Sequence, residues 1–398
     1  MKNKLIKMRA QILYKLKKFL VTFNYPEFRS LPNKPRSDEE HLKAAMEWLC
    51  LAQDVTGCGG VSTSYDLASK KWGNPYRETT GYIIETFVDY YKLTGDKNYL
   101  ERAEKMANWE IDVMSTDGAV GEIHKDGILY NKVFNTGQVI LGFYKLFLET
   151  KEERYLKTMQ KSADWLILNQ NESGAWEKFS TKGAKTVDSR VAWSLLEVYV
   201  ITKDERYRIC AEKHLEWVLK QQKENFWFDK TSFTSSRNAP WTHMIAYTIS
   251  GILESYKLGQ KKDNLYKSFY GAADKMLECF YKTKTSSGFL PSTFDEDWES
   301  EDDYSCLTGD VQLAAIWMEI WKMTNEKRFL DGAFKIIKQV KSTQILDTKE
   351  EIRGGILGSY PYYGEYSHFL LINWATKFFA DALILKIKVG NESRTKSM

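Results

Sequence analysis

TGQVILGFYKLFL (136–148), ETKEERYL (149–156) and YLKTMQKSADWLILNQ (155–170) read together as one helical hairpin. The first segment is apolar nearly all round, as a helix with protein on every side must be, and the last keeps one wet face. Between them a polar connector ends one helix and opens the next. The same phrase recurs as LTGDKNYL (93–100), ITKDERYR (201–208), LGQKKDNLY (258–266) and MTNEKRFL (323–330), and in each the aromatic (Tyr99, Tyr155, Tyr207, Tyr266, Phe329) is expected to plug the hairpin end. SRVAWSLLEVYVI (189–201) and GDVQLAAIWMEIW (309–321) repeat the all-round apolar type; YLERAEKMANWEID (99–112) and YRICAEKHLEWVLKQQ (207–222) repeat the amphipathic one. Helix starts near Thr79, Thr136, Asp188, Thr242, Gly309 and His368 are separated by steps of about 52 to 67 residues, the size of one hairpin with its loops. Six starts predict an all-α chain folded as an (α/α)6 toroid of six helical hairpins, with the apolar helices inside.

The other connections are long: 56–78, 115–135, 171–188, 224–241, 286–307 and 351–368. All must emerge on one face, at the N-terminal ends of the inner helices, where partial positive charge suits an acidic or hydroxyl-rich ligand. That face is where chemistry is sought. Glu78 precedes the first inner helix and either caps it or faces the cavity. Glu122, His124 and Asp126 alternate in GEIHKD, so an extended stretch points them the same way as an acid-base cluster or a paired rim. Asp188 opens the third inner helix as candidate acid or as N-cap, and Arg190 beside it has the fork to grip a carboxylate. Glu78, Glu122, His124 and Asp188 are the candidate catalytic residues. Tyr65, Trp72, Tyr76, Arg190, Arg237, Trp241, His243, Tyr363 and Trp374 are candidate substrate-binding residues, because aromatic platforms hold the apolar faces of sugars. Trp176 and Tyr362 belong to the same aromatic population, which also serves cores.

Charge and cysteine usage narrow the options. A net charge of +4 on 398 residues, with Lys and Arg interspersed among Asp and Glu, argues against a nucleic-acid partner. Five cysteines in odd number and without a C-x-x-C pair argue against a disulfide framework or structural zinc, and no metal or cofactor is expected. DEDWESEDD (295–303) has neither the spacing of a calcium loop nor the D-x-D-D string of a terpene-protonating cyclase, and reads as a solvated rim. No Gly-rich phosphate loop, G-x-S-x-G or H-E-x-x-H occurs. The opening MKNKLIKMRAQILYKLKKFLVTF is interrupted by Lys too often for a signal peptide or membrane span, so a cytoplasmic protein is expected. Leu5, Met8, Ile12, Leu16 and Leu20 recur at helical spacing, giving either a helix packed on the body or a basic helix lying peripherally on the membrane's inner face. The predicted organisation is therefore a basic amphipathic segment over 1–36, a toroid over 37–388 and a disordered tail over 389–398.

GGVSTSY (59–65), RETTGY (77–82), NTGQVILG (135–142), CLTGDVQLA (306–314), GGILGSYP (354–361) and NWATKFFADALI (373–384) resemble, as an ordered set, the toroid proteins encoded among bacterial surface-polysaccharide genes, sometimes labelled terpene-cyclase-like or prenyltransferase-like. The architecture is more distantly similar to six-hairpin glycosidases, helical-barrel polysaccharide lyases and glucuronyl C5-epimerases. The resemblance implies glycan processing: a lyase, hydrolase or epimerase acting on an acidic or amino-sugar-containing oligosaccharide, free or lipid-linked, in surface polysaccharide biosynthesis. Hydrolysis requires two carboxylates. Elimination or epimerisation requires a Tyr or His base and a cation such as Arg190 or Arg237. The competing class is a non-catalytic glycan-binding or scaffold protein of a polysaccharide assembly machine. An isoprenoid cyclase fits the polar loops poorly, and a zinc toroid lacks the Cys-His pair to hold its metal.

Overall fold

The computed structural model describes the chain apart from residue 1, residues 124–126, 234–238, 260–261 and 396–398, together with the side chains of 1–7, 10 and 391–398. Six inner helices, α3 (Arg77–Thr94), α5 (Val133–Thr150), α7 (Ser189–Thr202), α9 (Thr242–Lys257), α11 (Leu307–Thr324) and α13 (Asn373–Thr395), each pack on the next, and α13 returns to α3 to close the ring. Six outer helices alternate with them: α2 (Asp38–Asp54), α4 (Lys97–Val113), α6 (Glu153–Leu168), α8 (Glu205–Leu219), α10 (Asp263–Tyr281) and α12 (Lys327–Thr343). The architecture is the six-hairpin (α/α)6 toroid that the repeat predicts. The connector aromatics do plug the hairpin ends: Tyr155, Tyr207 and Phe329 are buried, and Tyr266 packs on Tyr256 and Phe269. The last inner helix starts at Asn373, five residues beyond the predicted start near His368, because Leu370–Ile372 is drawn into a strand. That strand, β7, pairs with β1 (Ser64–Asp66), which in turn pairs with β2 (Lys71–Trp72). Two further ribbons join β3 (Gly121–Ile123) to β4 (Leu129–Asn131), and β5 (Ser305–Cys306) to β6 (Ser359–Tyr360).

Two residue types at the inner-helix starts explain how the ring is tied. A threonine takes the backbone N–H of the incoming loop: Thr80 from Val61 (2.9 Å), Thr136 from Val120 (2.9 Å) and Thr376 from Ile356 (3.0 Å). A glycine follows in Thr80-Gly81 and Thr136-Gly137, and there the neighbouring helix crosses at backbone distance. A Cβ on Gly81 would lie 2.8 Å from the Val139 Cα, and one on Gly137 3.1 Å from the Val191 Cα. Val120 is fully buried, so its N–H has no water to fall back on. Thr136→Val is expected to leave that donor unpaired and cost about 1 to 3 kcal/mol, read as a lowered melting temperature with an unchanged far-ultraviolet spectrum.

Outside the ring, α1 (Lys2–Asn24) lies against the long-loop face. Val21 is buried, the Tyr14 hydroxyl donates to the Tyr363 carbonyl (2.7 Å), Lys17 reaches Asp66 (3.5 Å) and Lys18 sits 3.4 Å from the centre of the Tyr363 ring. Among the described residues no helix is long and apolar enough to cross a membrane.

Candidate functional site

A cavity of about 380 Å3 opens where α3, α5 and α7 begin, lined by Tyr76, Glu78, Glu122, Lys132, Phe134, Asn135, Phe179, Ser180, Thr181, Asp188 and Phe233. Each side chain is delivered by the junction of a long loop with an inner helix. Tyr76 and Glu78 flank the start of α3, Glu122 comes from β3, and Asp188 ends the loop before α7. The threonine ties described above hold the α3 and α5 junctions, so Tyr76, Glu78 and Glu122 are set by elements and not by free loops. Neither acid is consumed as a cap. The residue before α3 is Tyr76, and Asp188 makes no side-chain bond to the α7 backbone.

The Tyr76 hydroxyl stands 3.1 Å from the Glu78 Oε2 and 2.8 Å from the Glu122 Oε1. One phenol has one proton, so the two carboxylates compete for a single donor. Glu78 is held toward its protonated form. Burial, then the Glu122 charge, push its pKa up to about 7 against the opposing effects of Tyr76 and Arg190. Tyr76 is itself pushed well above its usual range by burial and by the two carboxylates, and stays neutral. The result is a carboxyl–phenol–carboxylate cluster in which the Tyr76 hydroxyl stands between Glu78 and Glu122. Asp188, fully buried, is also raised to about 7 by burial, although its carboxylate accepts from the Ser180 hydroxyl at 3.4 Å. Positive helix ends normally favour ionised carboxylates; here desolvation wins.

Three phenylalanines wall the cavity, with Phe134 edge-on to Phe233 (centroids 5.4 Å apart) and Phe179 tilted on Trp165 (5.2 Å). Phe179 holds φ at 62°, a conformation a bulky side chain rarely adopts, and its carbonyl receives the Val133 N–H at the start of α5. The buried Asn135 amide lies beside the Tyr76 hydroxyl and works against the rise in its pKa. Phe134, Asn135, Phe179 and Phe233 all lie in or beside the long connections, but nothing in their residue types set them apart from other loop aromatics and amides.

The remaining predicted residues lie elsewhere. Arg190 is buried below the cavity, where its Nε donates to the Gln138 Oε1 (2.7 Å) and its Nη1 to the Ser250 hydroxyl (3.3 Å). It lines the opposite mouth of the ring. Trp241, His243 and Trp374 form an aromatic cluster around the buried Tyr366: Trp241 and His243 pack on its ring at 5.1 and 5.0 Å, and the Trp374 indole donates to its hydroxyl (2.8 Å). Burial lowers the His243 pKa to about 3, so it is neutral. Tyr65 and Trp72 pack on each other (5.2 Å), Trp72 also on Trp48 (5.3 Å), and Tyr363 is occupied by α1. His124, Asp126 and Arg237 lie outside the described residues.

A second cavity of about 300 Å3 fills the opposite mouth, where all six inner helices contribute and charges alternate. The buried Lys377 ammonium bridges Asp381 (2.6 Å) and the buried Glu85 (3.7 Å), while Lys257 joins Glu254 and Glu319, each at 3.0 Å. These pairs tie α13 to α3 and α9 to α11, each between neighbours in the ring. Lys377→Met is expected to strand the Glu85 carboxylate and destabilise the ring by roughly 3 kcal/mol. Adding Glu85→Gln should restore much of the loss in thermal melts; a double variant no better than the single would show that the pair contributes nothing.

No family model and no curated protein matches the chain in sequence. Solved structures match it in fold. An unsaturated glucuronyl hydrolase specific for heparin aligns with a TM-score of 0.71 at 15% identity, covering 89% of this chain and 98% of that one. The unsaturated glucuronyl hydrolase of Bacillus sp. GL1, responsible for glycosaminoglycan degradation, aligns at 0.68 with 17% identity over 87% of this chain and 96% of its own. A cellobiose 2-epimerase from Bacillus thermoamylovorans B4167 aligns at 0.67 with 13% identity over 87% and 98%. At such identities the likeness establishes the six-hairpin toroid and leaves activity to the chemistry of the cavity.

Proposed function

We propose that this protein is a carbohydrate-active enzyme that hydrolyses a glycosidic bond in a neutral or amino-sugar oligosaccharide, with Glu78 as the proton donor. The observation that carries this reading is the Glu78–Tyr76–Glu122 cluster, in which a carboxyl with a pKa of about 7 is held beside a second carboxylate in one cavity. A group so poised donates a proton to a leaving oxygen near neutral pH. The phenylalanine walls suit the apolar faces of sugar rings. Structural neighbours solved with the oligosaccharides dGlcA-Glc-Rha-Glc and dGlcA-GalNAc6S lend the toroid as a whole to glycan binding.

Elimination or epimerisation at a uronic acid is less well served. Such chemistry needs a cation beside the sugar carboxylate, yet Arg190 faces the opposite mouth, and among the described residues Lys132 alone is a cation lining this cavity. The surface-polysaccharide setting implied by the sequence resemblance supplies the substrates to try first. The test incubates the protein with neutral, amino-sugar and uronate-containing oligosaccharides and follows new reducing ends. Cleavage of the first two classes supports the proposal. Binding without turnover in every class would instead favour the glycan-binding scaffold reading, and turnover confined to uronates would overturn the assignment of substrate.

A further inference from the structure

We propose that α1 is a docking surface for a bilayer containing anionic lipid. The helix presents two faces with different fates. Tyr14, Lys17, Lys18, Val21 and Thr22 hold it to the body, whereas Met8, Ile12, Leu13, Leu16, Phe19 and Phe23 are each between 50% and 68% exposed. Met8, Ile12, Leu16, Phe19 and Phe23 recur at steps of three and four, so they form one continuous outward stripe along the helix. Phe19 and Phe23 stack on each other at 6.2 Å. Scattered exposed apolar residues are ordinary, but a stripe of this length on one helix marks a contact surface.

Charge identifies what the stripe meets. Residues 1–26 hold seven Lys or Arg and no Asp or Glu, so the remainder of the chain carries a net charge of −3 against the +4 of the whole. The protein's entire positive balance thus sits on the helix with the apolar stripe, and the exposed Arg9 and Lys15 flank that stripe on its two sides. Basic residues beside an apolar face are complementary to anionic headgroups over acyl chains. A second copy of this helix is a poor alternative occupant, because it would bring like charge against like. The helix rests on β1 and on the loop carrying Tyr362 and Tyr363, both on the long-loop face, so docking turns that face toward the bilayer.

The test sediments the full chain with phosphatidylglycerol-containing vesicles and with pure phosphatidylcholine vesicles. Partition to the anionic vesicles is expected to be at least about tenfold stronger and to weaken at high salt. The triple variant Leu16→Ser/Phe19→Ser/Phe23→Ser should lose at least about tenfold of that binding. Arg9→Gln/Lys15→Gln should reduce the preference for anionic lipid. Both variants alter exposed positions, so an unchanged melting temperature confirms that they fold. No binding to anionic vesicles, or equal binding by the triple variant, overturns the proposal. So does a concentration-dependent dimer that the triple variant abolishes in place of vesicle binding.

Discussion

Gly142→Ala is expected to be among the most damaging single-methyl changes the ring can suffer. A Cβ at position 142 would sit 2.0 Å from the Gly81 carbonyl oxygen and 3.0 Å from the Ile84 Cβ. The first neighbour is backbone of α3 near its start, so no rotamer change relieves the overlap; α3 and α5 must separate. Each inner helix touches two others, so separation at one crossing propagates round a closed ring. The cost is expected at the upper end of overpacking, about 3 kcal/mol or more. It should appear as a large drop in melting temperature or as loss of soluble protein. Gly95→Ala is the control. That residue has φ of 77° but open space around its missing Cβ, so the change should cost only about 1 to 2 kcal/mol of backbone strain. Equal effects at the two positions would show that helix contact at Gly142 is not what the glycine serves.

These glycines also show how far the sequence could be read. The period of the connectors and the contrast between apolar and amphipathic helices are enough for six hairpins, because both follow from which faces meet water. In sequence, Thr-Gly at the inner-helix starts is only a recurring motif. Its meaning, a loop tied by the threonine and a helix admitted by the glycine, depends on neighbours distant in sequence. The same limit applies at the site. Tyr76, Glu78, Glu122 and Asp188 share the cavity because position at an inner-helix start or its ribbon is a geometric signal. Arg190 shares that position and yet faces the other way: two residues beyond Asp188, the helical turn carries it to Gln138 and Ser250. Of the candidate sugar-binding aromatics, Trp241 and Trp374 pack around Tyr366, Tyr65 and Trp72 pack on each other and Tyr363 against α1, and the phenylalanines lining the cavity have no pattern of their own. For the N-terminal segment the sequence allows packing on the body or facing a membrane; the structure divides its two faces between packing and exposure.

Glu78→Gln should abolish most of the turnover of any glycan the protein cleaves, by about 100-fold to 10,000-fold, with little change in binding, since the amide keeps the shape and loses the transferable proton. The pH profile gives the sharper test. A proton donor works only while protonated, so activity should fall as pH rises through the Glu78 pKa of about 7. Asp188 has a pKa of about 7 as well and could produce the same alkaline limb. Glu122 separates them. Its charge is one cause of the raised Glu78 pKa, whereas Asp188 is raised by burial and opposed by Ser180 and Lys185, with no contribution from Glu122. Glu122→Gln should therefore move the limb to lower pH if Glu78 is the donor and leave it in place if Asp188 is. A limb that stays put in Glu122→Gln but vanishes in Asp188→Asn would transfer the role of proton donor to Asp188, while the cavity and its substrate class would stand.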